Sequence, residues 1–433
     1  MNQKKAINVG LIGFGVVGTG IVELFSKNKP AGIELKTVVV KDAKKQRKLS
    51  FSNITTDISK VIDGQDIGIV VELIGGYEPA KEYIIRAIQN GKHVVTANKA
   101  VISEHGPEIF EQARKHNVNV GFEGAVAGGI PIINPLLEQL SYGKITSITG
   151  ILNGTTNFIL TRMSEGMDYG TALRIAQERG FAEADPSFDV EGLDAAQKIS
   201  ILASLAFGKW LKPSDVYCEG ITDITPIDIE YAKELGYAVK LLASAKKTEK
   251  GEISAAVHPV LIEKSHSLAR VDEEFNAIHI QGSPFDEYFN VGKGAGQGPT
   301  AFSVYYDIMK IAEMIRNGTA RTISVNQSNA KLADQNDILT KGYLRLYLNH
   351  VPGSLHSVLG VLLKHGWNIK DSMQRSAAKY ERIEGSTKYL PDIITHEHLK
   401  FGAIKDTLSD LENLRTEKSG PLHEKPFYMR VYN

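Results

Sequence analysis

The chain holds a single cysteine, Cys218, in 433 residues. That excludes an intrachain disulfide framework and any cysteine-rich metal site. Charge of one sign is also lacking. Fifty Lys and Arg stand against 50 Asp and Glu, so the formal net charge is zero, which argues against nucleic acid or an anionic membrane as the main partner. No apolar run reaches the length of a membrane span, and the start MNQKKAINVG has no signal-peptide apolar core. A cytoplasmic protein is expected. At 433 residues the chain is longer than one core normally fills, so two or three domains are expected.

What is present begins with an apolar strand, Ile7–Ile12, followed by Gly13-Phe14-Gly15-Val16-Val17-Gly18, a helix start over 19–27 and a second strand over 35–40. This is a dinucleotide-binding βαβ unit. Gly13 permits the tight turn, Gly15 lets backbone approach a pyrophosphate, and Gly18 allows close helix–strand packing, with Phe14 and Val17 as neighbouring contacts. The second strand ends in Lys41-Asp42-Ala43-Lys44-Lys45-Gln46-Arg47. The basic residues, Lys41 first, favour the 2′-phosphate of NADP, while Asp42 would suit the ribose of NAD. Cys218 lies in DVYCEGI with no histidine beside it, so aldehyde oxidation through a thiohemiacetal is not expected. Hydride exchange between alcohol and carbonyl, or amine and imine, remains, and a lysine acid/base suffices for it.

Further strands are expected at 67–73, His93–Thr96 and 118–122, with helices over 79–90 and 103–116 between them, which implies a doubly wound parallel sheet. Ligands meet such sheets at the carboxyl ends of strands, where Gly75-Gly76 and Thr96-Ala97-Asn98-Lys99 fall. Lys99 is a second candidate for the site, or a surface lysine at a helix start. The run Glu123-Gly124-Ala125-Val126-Ala127-Gly128-Gly129-Ile130-Pro131 could hold a hard monovalent cation or bend closely past a neighbour. Residues 146–320 alternate again, with strands near 147–152, 253–261 and 277–281 and helices between, and read as a substrate and subunit-contact domain. The glycine loop 291–300, with Gly296, opens a helix over 301–316 that chain reversal could return to the nucleotide.

The best pointer to chemistry is AQERGFAEADPSFDVEGLDAAQK, residues 176–198. On a helical wheel Gln197, Ser200 and Ser204 mark a polar face, while Asp194 and Lys198 fall on the stripe of Ile201, Leu202 and Leu205. A desolvated lysine oriented by an aspartate can work as a general acid or base; the alternative is an exposed i,i+4 ion pair.

The chain resembles homoserine dehydrogenases through GLIGFGVVGTG, VVTANKA, FEGAVAGGIPII, LNGTTNFIL and, above all, the run 176–198 with Gly180, Asp185-Pro186, Asp189, Gly192, Asp194 and Lys198 in signature positions. The resemblance spans residues 5–320. It implies reversible NAD(P)-dependent interconversion of L-homoserine and L-aspartate 4-semialdehyde, a step toward threonine, methionine and isoleucine. By the same resemblance Lys198 is the general acid/base at the substrate oxygen, and Lys99 is shared by substrate and nicotinamide. Glu183 and Asp194 hold the substrate's ammonium, and Gly75 and Gly296 are further cofactor contacts. Glu123 with the carbonyls of Val126, Gly128 and Ile130 holds a structural sodium ion. The family's dimer forms through the central sheet. Another NAD(P)-dependent amino-acid or alcohol dehydrogenase on the same frame is the alternative, and a non-catalytic amino-acid sensor is disfavoured by both lysines.

Beyond a polar linker the C-terminal part alternates over 343–348, opens a helix at Val351-Pro352-Gly353-Ser354-Leu355, and continues with strands at 367–374, 392–396 and 428–432 and a helix over 399–413. This βαββαβ order resembles the ACT domain, which implies an amino-acid effector such as threonine and, through ACT pairing, a homotetramer. His350 stands where ligand-binding versions commonly carry Asp or Asn, so a purely oligomerising module is the alternative. The expected α/β fold is therefore a Rossmann-type doubly wound parallel sheet over 1–130, an α+β catalytic and dimerisation domain over 131–320 with 292–320 packing back toward the nucleotide, a linker over 321–340, and an ACT-like domain over 341–433.

Overall fold

A computed structural model of the chain describes residues 6–321, 323, 330–374, 380–384, 387–415 and 420–432. Part of the expected linker, 322 and 324–329, lies outside the described residues. The N-terminal half alternates β1 (Ile7–Ile12), α1 (Val16–Asn28), β2 (Ile33–Val39), β3 (Ile54–Thr55), α2 (Ser59–Ile62), β4 (Ile67–Glu72), α3 (Ala80–Gln89), β5 (His93–Thr96), α4 (Lys99–Lys115) and β6 (Val120–Gly121). The strands pair in the order β3-β2-β1-β4-β5-β6, every pair parallel. Helices cover both faces, which is why β1 and β4 read as continuous apolar runs. Two helices start earlier than their apolar periodicity indicates: α1 begins at Val16 directly after Gly15, and α4 begins at Lys99 because the Asn98 side chain accepts from Val101 N and caps it. Lys99 thus occupies the first helical position.

The middle of the chain adds α5 (Ile133–Leu137), β7 (Lys144–Ile151), α6 (Gly154–Ser164), α7 (Tyr169–Glu178), α8 (Ser187–Val190), α9 (Leu193–Phe207), β8 (Tyr217–Cys218), α10 (Pro226–Glu234), β9 (Tyr237–Lys247), β10 (Ile253–Glu263), β11 (Phe275–Ser283), β12 (Asp286–Lys293) and α11 (Gln297–Asn317). Strands β12-β11-β7-β9-β10 form an antiparallel sheet. Two of them, β9 and β12, were not expected. In β9 a central apolar run hides the alternation, and β12 is an edge strand with no buried residue. Helix α11 returns to the first half, where Ala301, Val304 and Ile308 share a core with Val9, Leu11 and Ile21. A second contact fixes α4 against the end of α9. The Trp210 indole donates to the Ser103 carbonyl at 3.0 Å and lies so close to Gly106 that any Cβ there would fall 2.3 Å from the ring.

The C-terminal part runs β13 (Leu339–Asn349), α12 (Ser354–Lys364), β14 (Ile369–Gln374), β15 (Arg382–Glu384), β16 (Thr387–Lys400), α13 (Phe401–Asn413) and β17 (Phe427–Val431). Its main strands lie in the order β17-β13-β16-β14, all antiparallel, with the short β15 paired on β16. Leu344, Leu346, Ile394 and Trp367 pack with Phe401 and Ile404 of α13 on one face, while Tyr343, Ile393 and Met429 join the large core of the middle domain on the other. A short parallel pairing of β10 with β17 merges both sheets into one of 11 strands. Beneath the junction a buried ion pair ties β13 to α10: the Arg345 guanidinium meets the Asp228 carboxylate, which also accepts from the Tyr343 hydroxyl at 2.8 Å. No helix among the described residues is long and apolar enough to cross a membrane.

Candidate active site

The turn after β1 is shaped for a dinucleotide. Gly13 takes φ +105°, and a Cβ on Gly18 would fall 2.3 Å from the Gly13 carbonyl, so helix and turn close only with glycine there. Space around Gly15 is open, and α1 begins without a side-chain cap, leaving its first N–H groups to face a phosphate. Phe14 is buried and Val17 half-buried beside this turn. Lys41 is exposed just past the end of β2. Asp42 accepts from Lys44 N at 2.8 Å through Oδ1, and Arg47 donates to the carbonyls of Asp42 and Lys45 while its guanidinium lies over the Phe14 ring. Gly75 follows β4 at φ +71°, and Gly296 caps α11 at φ +118°.

In the middle domain, α9 starts at Leu193 and carries Asp194 and Lys198 one turn apart. Their side chains are only 7% and 11% exposed, which removes the surface ion-pair alternative. The face marked by Gln197, Ser200 and Ser204 is buried as well, contrary to the polar face expected. Its hydroxyls bond inside the helix, Ser200 to the Gln197 carbonyl and Ser204 to the Ser200 carbonyl, so they tolerate burial. Lys198 Nζ donates to Asp194 Oδ2 and to the Leu152 carbonyl, each at 2.7 Å. Lys99 arrives from the other domain, its Nζ 3.3 Å from Asp194 Oδ1. Burial alone would raise the Asp194 carboxyl, but the Lys198 and Lys99 charges and the bonds from Lys198 and Asn153 hold it below the usual carboxylate range.

Several contacts escaped the sequence reading. Asn153 caps α6 through Thr156 N and also donates to Asp194 and Asp189, at 2.9 and 2.7 Å. Burial and the Asp194 charge push the Asp189 carboxyl up. Gln197 donates to the Tyr77 hydroxyl at 3.2 Å, joining α9 to the loop after β4. The signal was in the motifs, since Asn153 lies in LNGTTNFIL and Asp189 in the run 176–198, but spacing did not show that one amide bridges two carboxylates. Glu183 is exposed between α7 and α8, and only its carbonyl is engaged, by Gln177. Cys218 contacts the Glu191 carbonyl, and burial first, then Glu219 and Glu191, push its thiol up to about 11, the setting of an inert thiol.

The turn after β6 buries Glu123 at 2% exposure. Its carboxylate accepts from the backbone N–H of Ile132, Ile133 and Asn134 and from the Asn134 amide, so it holds the start of α5. Val126, Gly128 and Ile130 are buried around the same turn, with positive φ at Ala127 and Gly128. The Gly128 carbonyl accepts from Ser303 at 2.6 Å. The Glu123 carboxylate is thus taken up by N–H donors, which leaves main-chain carbonyls as the oxygens of this turn that a cation could use. Beside it, burial and then the Glu123 charge push Asp307 up to about 7.

Comparison with known proteins points to one family. The family profile described as homoserine dehydrogenase matches residues 131–309, and that described as homoserine dehydrogenase, NAD binding domain, matches 13–123. A homoserine dehydrogenase of Synechocystis sp. is 41% identical over 435 residues, covering 96% of this chain and 98% of its own. A solved homoserine dehydrogenase from Thiobacillus denitrificans superposes with a TM-score of 0.89 at 35% identity, covering 99% of both chains. A hyperthermophilic archaeal homoserine dehydrogenase mutant in complex with NADPH superposes with a TM-score of 0.61 at 28% identity, covering 71% of this chain and 98% of its own.

Proposed function

The chain belongs to the homoserine dehydrogenase family, an NAD(P)-dependent group of oxidoreductases acting on a CH–OH group, and from that premise we propose how its residues divide the work. The observation that carries the reading is that two lysines from different domains converge on one buried carboxylate, Asp194. An ammonium has three donors. Lys198 uses them on Asp194 and the Leu152 carbonyl, which leaves one for the oxygen of L-homoserine. On reduction the ammonium gives that third proton to the aldehyde oxygen of L-aspartate 4-semialdehyde and becomes the neutral amine; on oxidation it is the neutral amine that takes the hydroxyl proton of L-homoserine and becomes the ammonium. The bound nicotinamide supplies the hydride chemistry. Lys99 sits where the two domains meet and steadies substrate and nicotinamide together. Glu183, an exposed side chain between α7 and α8, is read as holding the substrate's ammonium together with Asp194, whose Oδ1 lies 3.3 Å from Lys99 Nζ. Loss of turnover in both Lys99→Met and Lys198→Met supports this division, and undiminished turnover in either removes that lysine from it.

NADP is the preferred cofactor in this reading, seated by Gly13, Phe14, Gly15, Val17 and Gly18, with Gly75 and Gly296 at its far end. Its support is the exposed Lys41 just past β2 and the turning of Asp42 Oδ1 toward Lys44 N. Lys41→Glu is expected to raise the KM for NADP about 10-fold and leave that for NAD within twofold, since it trades a charge-assisted phosphate contact for repulsion. Equal changes for both cofactors would count against the 2′-phosphate contact. A sodium ion belongs to the turn at Glu123, held by main-chain carbonyls there and at Val126, Gly128 and Ile130. The βαββαβ C-terminal sheet is read as an ACT-like regulatory domain taking threonine. The chains pair as a homodimer through the central sheet, or as a homotetramer with the C-terminal sheets added.

A further inference from the structure

Glu72 closes β4 and is wholly buried, an ionisable side chain at the end of an apolar strand. It stands directly opposite Thr96 in the parallel pairing of β4 with β5. Its carboxylate faces donors on two different loops. Oε1 accepts from the backbone N–H of Ile74 at 2.8 Å and of Gly75 at 3.3 Å, and Oε2 accepts from the Thr96 hydroxyl at 2.6 Å. The Thr96 oxygen in turn accepts from Asn98 N at 2.9 Å. Asn98 then works both ways, capping α4 through Val101 N and donating to the Gly76 carbonyl at 2.7 Å. The circuit is closed. It runs from Glu72 through the 74–76 loop, and from Glu72 through Thr96 and Asn98 back to the same loop.

Both loops lie at the carboxyl ends of adjacent strands, and α4 begins with Lys99 immediately after Asn98. We propose that Glu72 is a positioning residue for the reaction: it locks the Gly75 loop and the helix start bearing Lys99 into one rigid unit, so that cofactor and lysine are set relative to each other. The two glycines at 75 and 76 both adopt positive φ, and nothing would touch a Cβ at either. At these two residues the loop is held by hydrogen bonds, from Gly75 N to the Glu72 carboxylate and from the Asn98 amide to the Gly76 carbonyl. Glutamine at 72 keeps the size and one accepting oxygen but turns an N–H toward the Thr96 hydroxyl, which must then accept instead of donate, so the circuit loses its charge-assisted bond at a single point.

The proposal rests on the placing of Lys99 and Gly75 beside the nicotinamide. Glu72→Gln is expected to lower kcat by roughly 10–100-fold, the usual cost of misplacing reacting groups by about an ångström. The primary deuterium isotope effect on hydride transfer from 4-deuterated homoserine should rise toward its intrinsic value, because the chemical step becomes limiting. Thr96→Val should show the same two changes, Thr96→Ser should recover kcat to within twofold, and Glu72→Gln with Thr96→Val should cost no more than either alone. Thr96→Val also guards against a Glu72 variant that fails to fold. An unchanged kcat and isotope effect in both single variants, or additive losses in the double, overturns the proposal. Failure of the underlying reading has a separate signature, undiminished turnover in Lys99→Met.

Discussion

Lys198→Met leaves the enzyme folded and still able to bind NADP, with turnover of L-homoserine reduced by roughly 10²–10⁴-fold, the range in which a positioned acid/base contributes. The expectation follows from where the lysine sits. Its ammonium, carried on α9 of the middle domain, is buried and tied to Asp194 and to the Leu152 carbonyl, whereas the pyrophosphate cradle at Gly13 to Gly18 belongs to the N-terminal sheet. Methionine retains the apolar stem that packs in α9, so the loss is in proton handling. The substitution does leave Asp194 with Lys99 and Asn153 as its remaining partners, and part of the effect is a loosened carboxylate. Asp194→Asn separates the two contributions, because it keeps Lys198 and removes the charge that orients it. Cofactor titration by fluorescence alongside steady-state rates makes the check; an unaffected rate, or a rate loss matched by lost NADP affinity, contradicts the assignment.

Asp228→Ala should destabilise the chain by about 3–5 kcal/mol, the cost of leaving a buried guanidinium without its partner. Asp228 is fully buried, and its carboxylate takes the Arg345 guanidinium, the Tyr343 hydroxyl and the Thr225 backbone and side chain. Burial works to raise this carboxyl while Arg345 opposes it. Of the pair, Asp228 belongs to α10 of the middle domain and Arg345 to β13 of the C-terminal sheet, so the break falls at the junction between them. Asp228→Leu combined with Arg345→Met should recover most of the stability, since removing both charges removes the desolvation penalty as well. Urea unfolding of the two variants against wild type decides it. A loss below about 1 kcal/mol in the single variant would mean that the pair is screened by water and does not hold the domains together.

The nucleotide half was legible because its logic is local. Strand, glycine turn and helix are adjacent in the chain, and a parallel sheet covered on both faces announces itself as apolar runs. The pair Asp194 and Lys198 was legible too, as charges on an apolar stripe, although the wheel misjudged the opposite face: Ser200 and Ser204 satisfy their hydroxyls within α9 and so look polar while lying in the core. Contacts made by tertiary closure were not legible. Asn153 meets Asp194 across 41 positions, and Glu72 meets Thr96 across 24, with nothing in the spacing to say so. Glu123 shows the same limit in another form. A carboxylate beside a glycine loop suggests a cation, whereas its oxygens are taken by the N–H groups of α5. Strand β9 was missed because burial on both faces erases alternation.

The central claim is that two lysines converging on Asp194 serve the oxidation of one amino-acid alcohol beside a bound nicotinamide. Absorbance at the reduced-nicotinamide band, followed with L-homoserine and with NADP and NAD in separate runs, tests it most directly. The account predicts reduction with L-homoserine, faster with NADP than with NAD. No reduction with either cofactor would contradict it.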